Sequence, residues 1–294
     1  MTSLRPLRLI SVVLPTHNGS RFLAESIESV RSQTYADWEL IIVDDASTDE
    51  TPSVIARYVA MDPRIRSLRN DANLKLPASL NRGFAEARGE YFTWTSDDNM
   101  YRPNAVQRMQ DYLGRHRDVV MVYCDFTHID CDGRVVAARK VGEPEGLLRG
   151  NCVQGCFLYR SAAARQVGPY AERLFLVEDY EYWLRLWSHG RIAPLHEDLY
   201  LYRVHPASLT ARNSRNRVRW LMAGALCRHI TALGTVSRGD RHAACLYWLR
   251  GAYRGRRTRD ACAWTARALA LGPWATVRAL GGAAARRSLR AFRR

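Results

Sequence analysis

The first 125 residues alternate between short apolar runs rich in β-branched residues and segments whose apolar side chains recur at helical spacing. Leu9 to Leu14 is the first such run, and it fits a strand buried on both faces. Ser20 to Gln33 then sets Leu23, Ile27 and Val30 on one helical side. The rhythm continues with Trp38 to Val43, a helix opened by Thr51 as N-cap and Pro52 in its first turn, and a weaker strand at Ile65 to Leu68. A helix from Pro77 to Arg88 with Gly89 at its C-cap follows, then the strand Tyr91 to Thr95, a helix opened by Pro103, and the strand Val119 to Cys124. This order predicts an α/β fold with a mainly parallel sheet and helices on both faces. Ligands of such sheets gather at the carboxyl ends of the strands. Pro15-Thr16, Asp44-Asp45 and Asp97-Asp98 all stand at such ends.

Asp97 and Asp98 close a strand with two neighbouring like charges, each of which raises the cost of ionising the other. A divalent cation resolves that conflict, and carboxylate oxygens suit Mg2+ or Mn2+, which commonly complete their shell with water and substrate phosphates. The first strand ends in Pro-Thr-His-Asn-Gly, not in a Gly-x-Gly-x-x-Gly fingerprint. No Gly-x-x-x-x-Gly-Lys loop occurs either, which disfavours NAD enzymes and P-loop NTPases. Asp44-Asp45-Ala-Ser-Thr-Asp49-Glu-Thr admits two readings. A carboxylate there can accept from the imide N–H of uracil or thymine, or the segment is a turn with helix-capping residues.

Seven scattered cysteines with no Cys-x-x-Cys pair support neither a zinc site nor a disulfide framework, and the expected compartment is the reducing cytoplasm. The N-terminal run is too short for a secretory leader, and no stretch nears the roughly 18 apolar residues of a membrane span. The formal net charge of +15 is lopsided. Residues 212–294 hold 19 Arg, no Lys and two acids, whereas residues 1–211 are close to neutral. Two regions are therefore expected, 1–212 and a basic helical 213–294 with breaks near Gly234 to Asp240 and at Gly272-Pro273.

Three segments together resemble the family 2 glycosyltransferases. They are Val12-Val-Leu-Pro-Thr-His-Asn-Gly, the stretch from Ser32 through Trp38-Glu-Leu-Ile-Ile-Val-Asp-Asp to Thr51, and Ala87-Arg-Gly-Glu-Tyr-Phe-Thr-Trp-Thr-Ser-Asp-Asp-Asn. The resemblance runs over roughly residues 8–210 and is nearest to SpsA-like, non-processive members. It implies a GT-A-type nucleotide-diphospho-sugar transferase fold, Rossmann-like, with a C-terminal helical extension. It also implies that Pro15, Thr16 and Asp45 cradle the base of a nucleotide-sugar donor, that Asp98 holds Mn2+ or Mg2+, and that Asp97 contacts the ribose or assists Asp98. Lys75 sits in a variable loop from which a basic residue often reaches the nucleotide, although Asn73-Leu-Lys-Leu-Pro departs from the family's usual Asn-x-Gly.

Glu178-Asp179 matches the family's acidic pair before a helix, with Asp179 as the base that deprotonates the acceptor and Glu178 as the alternative. Ordinary helix-dipole compensation would place acids there too. Tyr202-Arg-Val-His205-Pro-Ala-Ser208 resembles a late family element supplying diphosphate and metal contacts, so Arg203 is expected at the nucleotide diphosphate and His205 at the metal or the diphosphate. Asn151 to Gly155 is expected to line the acceptor cleft, and Trp183 and Trp187 to be core. The implied chemistry is inverting transfer of one sugar, because the processive Gln-x-x-Arg-Trp signature is missing. A two-carboxylate hydrolase lacks a general acid outside this frame. A non-catalytic scaffold is countered by the intact Asp45, Asp98 and Asp179.

From Pro273 onward Trp274, Val277, Leu280, Ala284 and Phe292 share one helical side, opposite Arg286, Arg287, Arg290, Arg293 and Arg294. A basic amphipathic helix suits an anionic membrane surface, here the inner face of the plasma membrane, and with it a glycan or lipid-linked acceptor of cell-surface assembly. The alternative is a bundle packing its apolar stripe on protein. No nucleic-acid module accompanies the basic residues.

Overall fold

The computed structural model describes residues 8–209 and 211–281. Four strands, β1 (Ile10–Thr16), β2 (Trp38–Asp44), β3 (Ile65–Arg69) and β4 (Tyr91–Trp94), form a parallel block in the order β3-β2-β1-β4. Helices α1 (Ser20–Arg31), α2 (Thr51–Met61) and α3 (Leu76–Ala85) connect them. Every residue of β1 and β2 is buried. Both faces of the sheet are therefore covered, which is why these strands read as continuous apolar runs. Each fully buried Val, Leu or Ile contributes about 1.5–3 kcal/mol. β1 and β2 pair in register from Ile10 with Trp38 to Thr16 with Asp44. Their exit loops consequently begin side by side.

The second half mixes directions. It comprises β5 (Met100–Tyr101), α4 (Ala105–Arg115), β6 (Val119–Ile129), β7 (Val135–Arg139), β8 (Phe157–Arg160), α5 (Ser161–Val167), α6 (Glu178–His189) and β9 (Arg191–Arg203). β8 runs antiparallel to both β4 and β6, and β9 runs parallel to β6. The carboxyl ends of β1 to β4, the start of β8 and the end of β9 thus share one edge of the sheet. Thr93 Oγ1 donates to the Phe157 carbonyl at 2.6 Å, fastening β8's first residue to β4.

Local details shift three of the expected boundaries. Thr51 is the first helical residue of α2 rather than its cap, and the Asp49 carboxylate accepts its N–H at 3.0 Å. α4 starts at Ala105, two residues after Pro103. α3 ends at Ala85, and Gly89 serves close packing instead of capping. A Cβ there would lie 2.7 Å from the Ser11 nitrogen.

Three further helices, α7 (Arg215–His229), α8 (Arg238–Arg254) and α9 (Thr258–Leu271), form a C-terminal bundle. Trp248 and Trp264 stack inside it with centroids 6.2 Å apart. The bundle seats on the rest of the chain through polar contacts. Trp248 Nε1 donates to the Leu148 carbonyl at 2.9 Å, His229 Nε2 lies 2.8 Å from Glu181 Oε1, and Thr235 Oγ1 donates to the Trp187 carbonyl at 3.0 Å. Trp183 and Trp187 are core, as expected. Residues 273–281 are helical, with Trp274 80% and Val277 56% exposed. Ala284, Arg286, Arg287, Arg290, Phe292, Arg293 and Arg294 lie outside the described residues. Among the described residues no helix is long and apolar enough to cross a membrane, and all seven cysteines are free.

Candidate active site

β1 delivers Thr16 and β2 delivers Asp45 to the same edge, and the two loops are joined by the Asp45 N–H donating to the Thr16 carbonyl at 2.8 Å. The Asp45 carboxylate is buried. Its Oδ1 accepts from Asn70 Nδ2 at 2.7 Å and from the Leu74 N–H at 2.8 Å, and its Oδ2 accepts from the Lys75 N–H at 2.9 Å. A carboxylate offers about four acceptor positions. Three are taken, which leaves one on Oδ2 for an outside N–H.

Lys75 enters the site through its backbone, in the left-handed region at φ 75°, while its side chain is exposed. Asn70 escaped the sequence reading. It is fully buried, bridges Asp45 to Ser79, and receives Arg82 Nη1 at 2.6 Å. The available signal was its place immediately after β3, at the edge where β1, β2 and β4 also end.

Asp97 and Asp98 follow β4. Thr16 Oγ1 donates to Asp97 Oδ2 at 2.5 Å. Gly19 admits this contact, since a Cβ there would stand 2.0 Å from Asp97 Oδ2. Burial, and then the charge of Asp98, push the Asp97 carboxyl up to about 6, against the opposing Thr16 hydroxyl. Asp98 Oδ2 lies 3.0 Å from His205 Nε2, whereas Asp98 Oδ1 is buried with no hydrogen-bond partner. An orphaned carboxylate oxygen beside an imidazole fits a hard divalent cation whose remaining positions come from water or phosphate. No group of three or more His, Cys, Asp or Glu side chains is assembled for a metal among the described residues. The side chains there that could hold such a cation are Asp98 and His205.

Arg203, expected at the diphosphate, is buried. Its side chain is 1% exposed and most of its donors are taken by protein acceptors. Nε donates to the Asp98 carbonyl at 3.0 Å, Nη1 to the Asp130 and Cys131 carbonyls at 3.1 Å, and Nη2 to Glu25 Oε2 at 2.6 Å. Four of the five guanidinium N–H groups are thereby committed. The group also lies 4.3 Å from the Phe22 ring centroid. Arg203 holds the Asp98 backbone and the 130–131 turn in place, which leaves one guanidinium N–H uncommitted.

Glu178 and Asp179 open α6. Asp179 Oδ2 accepts from Asn151 Nδ2 at 2.8 Å and Oδ1 from the Tyr180 N–H at 2.6 Å. Burial raises its carboxyl above the ordinary aspartate value, against those two donors. Glu178 is 3% exposed, and its Oε2 has no partner. Burial, and then the Asp179 charge, raise its carboxyl further above the ordinary value. Asn151 belongs to the stretch leading into β8, whose start adjoins the carboxyl end of β4. The Asn151–Asp179 bond thereby ties the start of α6 to the segment that leads into β8.

Comparison with known proteins shows the family and the fold. The profile of Glycosyl transferase family 2 matches residues 11–168. The putative glycosyltransferase EpsE of Bacillus subtilis is 36% identical over 202 residues, covering 66% of this chain and 72% of EpsE. The protein y4gI of Sinorhizobium fredii is 34% identical over 212 residues, 70% of this chain, but the chain spans only 23% of that relative's length. Among solved structures, S. aureus TarS 1-349 in complex with UDP-GlcNAc superposes with a TM-score of 0.62 at 16% identity, covering 88% of this chain and 90% of that one. Mannosyltransferase PcManGT from Pyrobaculum calidifontis, in complex with GDP-Man and Mn2+, gives 0.62 at 20% identity over 96% of this chain and 81% of that one. At these identities the structural likeness speaks to the fold, which is that of GT-A glycosyltransferases.

Proposed function

The chain belongs to glycosyl transferase family 2, and from that premise we propose that it moves one sugar from a UDP- or dTDP-sugar to a hydroxyl acceptor with inversion at the anomeric carbon. The observation that supports this reading is that Asp45 and the Asp98–His205 pair follow β2 and β4 at one edge of the parallel block, with the buried Asp179 held by Asn151 at the start of α6. The free position on Asp45 Oδ2 suits the imide N–H of uracil or thymine. Pro15 and Thr16 form the floor beneath it, and Thr16 holds Asp97 towards the ribose. Lys75 contributes its backbone to the same loop.

Asp98 and His205 would hold Mn2+ or Mg2+. When bound, the cation offsets negative charge on the departing diphosphate. Asp179 takes the proton of the acceptor hydroxyl as that oxygen attacks the anomeric carbon opposite the leaving group. Asn151 and the Tyr180 N–H fix the carboxylate for that transfer. Its raised affinity for protons makes it a better base than an exposed aspartate. Attack from the far side forms one C–O bond while the bond to the diphosphate breaks, which inverts the centre without a covalent enzyme intermediate.

Residues 1–212 would carry this chemistry. The basic region 213–294 would set the chain on the inner face of the plasma membrane, close to a lipid-linked glycan acceptor. Support for this comes from Trp274 and Val277, three positions apart on helix 273–281 and both exposed, next to Arg278. Basic residues near an anionic surface add about 1 kcal/mol each. Flotation of the intact chain with phosphatidylglycerol vesicles should exceed that with phosphatidylcholine and fall in Trp274→Glu. Equal flotation in all three cases removes the docking idea.

The transfer itself is tested with UDP-GlcNAc, dTDP-glucose and GDP-mannose in the presence of Mn2+. A uracil or thymine nucleotide should raise the melting temperature most and be turned over. A preference for GDP-mannose would overturn the role given to Asp45.

A further inference from the structure

The family profile stops at residue 168, yet the bundle beyond it touches the segment that shapes Asp179. Between the short 3-10 turn Pro144–Leu148 and β8 the backbone has no regular ladder to hold it. Two side chains fasten the turn's carbonyls. Tyr180 Oη donates to Leu147 at 2.5 Å from α6, and Trp248 Nε1 donates to Leu148 at 2.9 Å from α8. Trp248 is fully buried, with its ring against Trp264 and Trp220, so the position of this donor is set by the bundle. Asn151 follows three residues after Leu148, a span of at most about 10 Å. Its Oδ1 accepts from the Val153 N–H at 3.1 Å, and its Nδ2 reaches Asp179. No other side chain outside α6 has a hydrogen bond to that carboxylate among the described residues.

We propose that Trp248 is a positioning residue for Asp179, because its bond to the Leu148 carbonyl fixes the segment that carries Asn151 onto the Asp179 carboxylate. The C-terminal bundle is then part of the active site, although it supplies no group to the reaction. The proposal rests on Asp179 acting as the base. α7 braces the same helix from another side through His229 and Glu181, so the acid and the segment that orients it are both referred to the bundle.

Trp248→Phe keeps a buried ring and deletes the donor. Trp264→Phe loosens the same aromatic stack without touching Leu148. In the full chain, hydrogen exchange at the amides of Arg149, Gly150 and Val153 should quicken about fivefold in Trp248→Phe and stay within about twofold of wild type in Trp264→Phe. Release of nucleoside diphosphate from whichever of UDP-GlcNAc, dTDP-glucose or GDP-mannose most raises the melting temperature should lose about tenfold in kcat in Trp248→Phe. Its donor KM should stay within about twofold, because the donor side is built on β1, β2 and β4. Asn151→Ala, which leaves the bundle intact, should show the same split. Unchanged exchange in Trp248→Phe, equal quickening in Trp264→Phe, or undiminished kcat in Asn151→Ala overturns the proposal. Wild-type turnover in Asp179→Asn would instead remove the base, leaving the exchange result as a statement about the segment alone.

Discussion

His205 Nε2 lies 3.0 Å from Asp98 Oδ2, joining the exits of β4 and β9 across 107 positions of chain. Neither side chain is solvated like a surface ion pair, with 12% and 17% of their side-chain area exposed. The second oxygen of Asp98 stays without a partner. A cation is the partner proposed for it. Asp98→Asn and His205→Ala should each weaken Mn2+ binding at least about tenfold, read from free Mn2+ by electron paramagnetic resonance with UDP present. Wild-type Mn2+ affinity in Asp98→Asn would contradict the assignment.

Asp45 ties down the loop from Asn70 to Lys75 through three hydrogen bonds to a buried carboxylate. Asp45→Asn replaces one acceptor oxygen by an amide that confronts N–H donors. A loss of about 2–3 kcal/mol of stability is expected from urea unfolding, together with weakened UDP binding. Stability equal to wild type would mean that the loop is held by other contacts.

The buried carboxyl of Glu178, with one oxygen unpartnered, has a pH signature. Its affinity for protons is higher folded than unfolded, because burial and the Asp179 charge disfavour its ionised form. The native state therefore holds a proton that the unfolded chain has already released. That contribution to stability is full below the ordinary glutamate value of 4.5 and is lost as pH rises through the raised folded value. Glu178→Gln removes the ionisation. Its melting temperature should match wild type near pH 4 and exceed it increasingly as pH rises from there. A constant difference across the range would show that Glu178 does not titrate in this way.

Much of this arrangement was legible from residue order. β1, β2 and β4 are buried on both faces and therefore read as plain apolar runs, and the acids at their ends fall where a parallel sheet must place them. The burial of Arg203 was not legible. An arginine beside a metal-ligand candidate suggests a phosphate partner, and only the packing of Phe22, Glu25 and the 130–131 carbonyls around it shows that most of its donors are used. β9 was seen only from Tyr200 onward, because its first half carries Arg191, His196, Glu197 and Asp198 on a partly exposed strand. In the tail, the arginine excess points to an outward face, whereas Trp248 and Trp264 are buried inside the bundle and Trp248 bonds the Leu148 carbonyl.

The central claim is that Asp179 removes the acceptor's proton. Its carboxyl is raised above 3.8, so the acid limb of kcat should lie above that value. Positioned bases of this kind contribute about 10²–10⁴-fold. Metal-dependent release of nucleoside diphosphate by Asp179→Asn, followed against pH beside wild type, is the most direct test. The expected result is a fall of at least about a hundredfold in kcat with the acid limb abolished and donor affinity kept. Turnover at the wild-type rate, with the same pH profile, would contradict the account.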